Sequence, residues 1–408
     1  MRVNSLLYLL LFLISAFSCF SKVSRTKYIP PVVLIPGDGG SQIEAKLDKP
    51  SIIHYICQKK SDYWFDLWLN MELLLPVVID CWVDNMRLLY DNVTRTTMNS
   101  PGVQTRIPGF GNTSTVEWLD PSQRSPTGYF KDIVNAMIPL GYERGVTVRG
   151  APFDFRRAPR DNLGIYVISA AKVRAEQRSA PSLAFLLPSD ELWGPNETIV
   201  ETPTKNYSAA DFKELFEDLN LPDAYNMYLD TKDLLRNAPA PGLELHCLHG
   251  EGVDTVEKLI YPSGKFPDSP AIINGGGDGT VNTRSAQVCL KWADKQKYKI
   301  HYKTFKGVDH MQILRDKGSI SYVVELLSNI TVKNERQAKM KMINLENLEK
   351  RKDKEFLRNY AINGRKREIL NMDENKLASE DSKRHNAITK KFYNVMVQDD
   401  GPLLGKGL

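Results

Sequence analysis

The first strong pattern in the chain is an apolar run from Leu6 to Phe17, preceded by Arg2 and followed by small residues before Lys22. It is short for a bilayer span, which takes about 20 residues, and has the layout of a secretory signal peptide over residues 1–21. In YIPPVVLIPGDGGSQ a β-branched run stops at a Pro-Gly turn, predicting a buried strand over Val32–Ile35 and a loop over Gly37–Gly40. Between Cys57 and Cys81, Trp64, Phe65, Leu67 and Trp68 crowd together, either as core or as a cap whose apolar face meets lipid. A helix is predicted over Tyr129–Leu140 and a strand over Val146–Val148, leading into a Gly/Pro-rich turn. LELHCLHGEG then reads as strand and loop, IINGGGDGTVN as a glycine-rich loop, and YKIHYKTFKGVDHMQIL as a strand whose loop enters a helix. Strands alternating with helices indicate an α/β body.

Length and composition add scale and compartment. With 408 residues, 42% of them hydrophobic, the chain can bury a large core in one big domain or two ordinary ones. Cys19 falls in the signal segment, leaving Cys57, Cys81, Cys247 and Cys289, which allow three pairings, with neighbours in sequence the simplest. Sequons at Asn92, Asn112, Asn196, Asn206 and Asn329 fit the secretory route. Residues 333–408 hold 18 basic and 12 acidic residues, net +6, so the body is near neutral at −1. That balance gives no pull toward nucleic acid, and the tail reads as a charged helical or disordered appendage. The six histidines have no local ligand spacing, so neither a metal nor a cofactor is expected.

Asp278 precedes His310, and a glycine-rich loop lies upstream, which suggests the Ser…Asp…His order of α/β-hydrolases. In that arrangement His310 takes a proton from a serine, Asp278 fixes the imidazole tautomer, and the Asp38 backbone N–H meets the developing oxyanion. All three lie on loops after strands, and in an open α/β sheet such loops gather at one end.

Several long stretches in order, VVLIPGDGGSQIEAKLDKP, LWLNMELLLPVVIDCWVDNMRLLYD, RIPGFG, RGAPFDFRRAP, EQRSAPSLAFLLP, LHCLHGEGV, GGGDGTVN and GVDHMQIL, resemble the lecithin:cholesterol acyltransferase family. They are most similar to its lysosomal (group XV) phospholipase A2 branch, over about residues 28–327. The resemblance implies an α/β-hydrolase with a cap and a membrane-binding subdomain at about residues 54–100. Its expected chemistry moves an acyl chain from a glycerophospholipid at a membrane surface, through an acyl-serine, to water or a lipid alcohol. It also implies Asp278 as acid, His310 as base, Asp38 as oxyanion donor, disulfides Cys57–Cys81 and Cys247–Cys289, and a lysosomal or secreted location.

One piece of that family pattern is missing. After RGAPFDFRRAP the family carries a helix, a strand, an A-H-S-M-G serine elbow, a helix and a further strand. Here only fifteen residues separate Arg160 from Glu176, whereas a single βαβ unit takes about 30. No G-x-S-x-G or A-x-S-x-G occurs; Ser41 lacks the second glycine, and Ser169 follows the bulky Val167 where a tight elbow needs a small side chain. The expectation is an α/β-hydrolase without its central nucleophile strand and flanking helices, a chain that folds poorly and is inactive. A non-catalytic lipid-binding protein, and an unrelated hydrolase using Ser169, are the rival readings.

Overall fold

The structure is a computed structural model that describes residues 29–124, 127–157, 170–236 and 238–368. The signal segment, Ser169 and most of the junction between Arg160 and Glu176 lie outside the described residues. The chain divides into two compact units with the boundary after Lys333.

In the first unit the strands that frame the site are β1 (Val32–Leu34), β2 (Ile43–Leu47), β3 (Phe65–Trp68), β4 (Val103–Arg106), β5 (Val148–Gly150), β6 (Leu245–Glu251), β7 (Val253–Ile260), β8 (Ala271–Gly277) and β9 (Ile300–Lys306). Helix α1 spans Ile79–Met86 and α2 spans Lys131–Met137, continued by a 3₁₀ turn over Ile138–Leu140. The molecule is mixed α/β, but its sheets are small. Strands β1 and β5 pair in parallel, Val32 opposite Val148 and Leu34 opposite Gly150. Strands β6 and β9 pair in parallel over seven positions. Among the described residues these are separate two-stranded sheets, with no strand joining one to the other. Strands β7 and β8 form an antiparallel pair extended by the two-residue strands Val200–Glu201 and Asn206–Tyr207. Strand β2 sits between β3 and β4 in an antiparallel sheet.

Three local expectations need correction. The stretch IINGGGDGTVN, expected as a glycine-rich loop, is strand β8 as far as Gly277, paired with β7. The strand expected at Val146–Val148 begins at Val148, because a turn takes the residues before it: Gly145 has φ 73°, and the N–H groups of Val146 and Thr147 both donate to the Glu143 carbonyl. The strand expected to be buried over Val32–Ile35 ends at Leu34, and only Leu34 is buried; Val33 is 59% and Ile35 67% exposed. A parallel strand with helices on both faces buries both sets of side chains. β1 has a single ladder partner here, and nothing described covers its other face.

Burial is divided among three clusters. One joins Ile43 and Ala45 of β2 and Leu67 and Trp68 of β3 with Ile79, Trp82 and Met86 of α1, Tyr129 and Phe155. A second gathers Trp193, Val200, Tyr207, Phe212, Phe216 and Tyr228. The third packs Leu34 and Val148 against Val116, Val134, Met137 and Leu327. The aromatic crowd near Trp64 is therefore mostly core: Leu67 and Trp68 are buried, while Trp64 is partly buried under the Arg106 guanidinium, 4.5 Å from its ring. Apolar side chains facing solvent in this region are instead Ile53, Tyr55, Leu75 and Val77. Cys57 is bonded to Cys81, and Cys247 to Cys289. All five sequon asparagines are exposed.

The last described element, α3 (Lys317–Glu368), is one helix of 52 residues. Its first turns contribute Val323 and Leu327 to the third cluster. From Glu335 through Asn359 every position is exposed, as expected for a mixed-charge segment without an apolar stripe.

Candidate active site

Strand β9 leads to His310, the candidate base. After Lys306 the chain turns at Gly307 (φ 73°) and passes directly over Gly250 of β6, where an added Cβ would lie 1.8 Å from the Val308 carbonyl oxygen. Only glycine permits that approach. The crossing sets His310 beside Asp278, which follows β8. The His310 backbone N–H donates to the Asp278 carbonyl at 2.8 Å, and His310 Nδ1 lies 2.9 Å from Asp278 Oδ2. Asp278 is buried, and its Oδ1 accepts from the N–H groups of Val281 at 2.8 Å and Thr280 at 3.1 Å. Burial pushes this carboxyl up, but the hydrogen bonds from His310, Val281 and Thr280 outweigh it and hold it below the usual carboxylate range. An ionised Asp278 accepts a hydrogen bond from Nδ1–H, leaving Nε2 as the lone-pair nitrogen. Among the described residues Nε2 has no hydrogen-bond partner.

The Gly37–Gly40 loop leaves β1 and is held from three directions. The Gly40 N–H donates to the Gly37 carbonyl at 3.0 Å, closing a turn. The Gly37 N–H donates to the Tyr129 hydroxyl at 3.0 Å, and Trp68 Nε1 donates to the Gly39 carbonyl at 2.8 Å. A Cβ on Gly40 would stand 2.8 Å from Tyr129 Cζ, so the tyrosine ring lies flush against the backbone. The Asp38 carboxyl is pushed up to about 8 by burial and by the charge of Glu176, against a stabilising hydrogen bond from the Gly39 N–H. Glu176 is itself raised to about 7 by burial and by Asp154, with Arg156 opposing. Arg156 is fully buried and bonds Asp154 at 2.6 Å, the Met86 carbonyl at 2.9 Å and the Thr105 hydroxyl at 3.1 Å.

Gly37, Asp38, Tyr129, Val281 and His310 meet around a cavity of about 290 Å³ closed by Leu186, Met311, Ile313 and Leu314. Thus Asp278, His310 and Asp38 converge although they lie far apart in sequence. Ser41 does not join them: it is fully buried, and its Oγ accepts from the Phe153 N–H at 3.1 Å. Tyr129 and Arg156 were not singled out by sequence, and Trp68 only as part of an aromatic crowd, since each acts through a contact more than 25 residues away along the chain.

The sequence model of the lecithin:cholesterol acyltransferase family matches residues 63–163, 158–239 and 231–317. The chain belongs to that family. The family match is made in three pieces, and one break falls at residues 158–163. A lysosomal phospholipase A and acyltransferase of Bos taurus is 38% identical, over 79% of this chain and 96% of its own length. The enzyme of the same description from Homo sapiens is 37% identical, over 73% of this chain and 90% of its length. A phosphatidylcholine-sterol acyltransferase of Gallus gallus is 33% identical, over 71% and 88%. The bovine alignment runs over 400 positions, to which 79% of this chain's 408 residues contribute, so roughly 80 positions stand opposite no residue here.

Proposed function

We propose that this chain keeps the acid, the base and the oxyanion loop of a phospholipase A/O-acyltransferase centre but not its serine, and that it does not turn over lipid. The carrying observation is the 2.9 Å contact from Asp278 to His310, opening onto a cavity lined, among the described residues, by no serine, threonine or cysteine. In the active form of such a centre, Nε2 of His310 accepts the serine proton as Oγ attacks the ester carbonyl. The Asp38 N–H stabilises the oxyanion, and His310 then protonates the leaving lysophospholipid. Without the hydroxyl, no acyl-enzyme forms. What supports the loss is the absence of a serine elbow, the positions unmatched in the relatives, and the break in the family match at the expected place.

The substrate surface of this lineage is a phospholipid membrane, with a lipid alcohol or water as acceptor, in a lysosomal or secreted setting reached through a cleaved signal peptide and glycosylation. Incubation of the purified chain with a fluorophosphonate probe and phospholipid vesicles is expected to give neither labelling nor fatty-acid release. Labelling at any serine, Ser169 included, would overturn the proposal. The exposed Ile53, Tyr55, Leu75 and Val77 favour a second reading, a lipid-binding protein without catalysis, which co-flotation with vesicles tests.

A further inference from the structure

The far end of the β6–β9 sheet carries a second constellation. Parallel pairing sets His246 directly opposite His301, so the two side chains share one face. Their rings stack, with centroids 4.3 Å apart and planes 2° from parallel. Glu244 stands two residues before His246, and that period of two returns its side chain to the same face. Its Oε1 lies 3.0 Å from His301 Nε2 and 3.6 Å from His246 Nε2. We propose that Glu244, His246 and His301 bind a zinc-like transition-metal ion.

The geometry meets the requirements of such a site. Zinc takes imidazole nitrogen at about 2.0–2.1 Å and carboxylate oxygen at about 2.0–2.2 Å, so tetrahedral ligand atoms sit about 3.3 Å apart. One ligand atom from each of the three residues lies within 4.8 Å of the others, leaving side-chain rotation alone to close the set. A metal-bound histidine needs an outer partner for its other nitrogen. His246 has one: Nδ1 lies 2.7 Å from the Tyr322 hydroxyl, which leaves Nε2 for the metal. The fourth coordination position opens into a pocket of about 310 Å³. Lys333 brings a positive charge to that pocket, and Glu325 brings a compensating negative one.

The site is separate from the Asp278–His310 pair. The histidines occupy the N-terminal ends of β6 and β9, whereas Gly307 and His310 follow the C-terminal end of β9. At about 3.3 Å per residue the two lie roughly 17 Å apart along the strands. The sequence does not announce the cluster, because His246 and His301 are brought together only by strand register.

The test is calorimetric titration of the untagged, full-length chain with zinc at pH 7.5 after chelator treatment. The expected result is one saturable equivalent, retained by His310→Ala and lost in both His246→Ala and His301→Ala. Tyr322→Phe should weaken binding by about 10–100-fold, the usual effect of removing an outer partner. X-ray absorption of the zinc-loaded chain is expected to report two imidazole nitrogens and oxygen ligands, and it needs no folded variant. Absence of a saturable equivalent in the parent chain would overturn the proposal, as would uptake that survives both histidine substitutions or a first shell without imidazole.

Discussion

Arg156 shows how much a single side chain can hold at the centre of this protein. It is fully buried and joins Asp154 to the Met86 carbonyl and the Thr105 hydroxyl. Removing one partner of a buried pair strands the other charge, at a cost of about 3–5 kcal/mol. Arg156→Ala is therefore expected to lower unfolding free energy by about that much in urea titrations. Gly250→Ala pushes a methyl into the Val308 carbonyl, and overpacking of that kind costs about 1–3 kcal/mol. Its signature beyond stability is displacement of His310, visible as a shifted imidazole resonance. Three carboxyls set the pH response. Asp38 is raised to about 8, Glu176 to about 7, and Asp66 to about 8 by burial and the charges of Asp120 and Glu44. Each keeps its proton in the folded chain at pH values where the unfolded chain, with carboxyls near about 4, has released it. The folded state then binds more protons, so stability falls as pH rises from about 4 to 8. Asp278 and Asp154 act in the opposite sense: they are held low, and their contribution is lost only as pH falls through the acid range. Denaturant midpoints should be higher at pH 5 than at pH 8, and Asp38→Asn should flatten the slope; a midpoint that rises with pH contradicts this. The pairing of Asp278 with His310 was anticipated in the sequence from their residue types and order together with the family resemblance. Arg156 was not, because nothing local distinguishes a fully buried arginine from its half-buried neighbour Arg157.

Among the elements, the Cys57–Cys81 bond closes a loop of 24 residues around β3, next to α1. A loop of that length is worth about 3 kcal/mol through the unfolded chain. Replacing both cysteines by serine should lower thermal stability accordingly, and no change in melting temperature would place the stabilisation elsewhere. Strand and helix types were readable from β-branched runs and apolar spacing, as for β1 and α2. Boundaries were less so: β5 starts two residues late because the turn at Gly145 captures Val146 and Thr147. Burial of β1 misled for a different reason. A β-branched run reports strand propensity and not what covers each face, and Val33 and Ile35 face solvent.

For the whole molecule, burial among the described residues is divided among three hydrophobic clusters, two of them bridged by Phe130, and the two parallel strand pairs are unjoined. Cooperative unfolding requires that loss of one region undermine the others. Calorimetry should therefore give a broad or multiphasic transition, whereas one sharp endotherm with equal calorimetric and van't Hoff enthalpies would show that the clusters are coupled. The second unit is exposed from Glu335 through Asn359, and a chain ending at Lys333 should melt within a few degrees of the full-length protein. Among the described residues β1 has no ladder partner on its outer edge. A strand with a free ladder side and apolar residues facing out is a template for another strand. A peptide bearing a matching segment could dock there and complete the sheet in trans. A second copy of the chain would pair in the same way, so self-association is expected to rise with protein concentration, and sedimentation over a dilution series checks it.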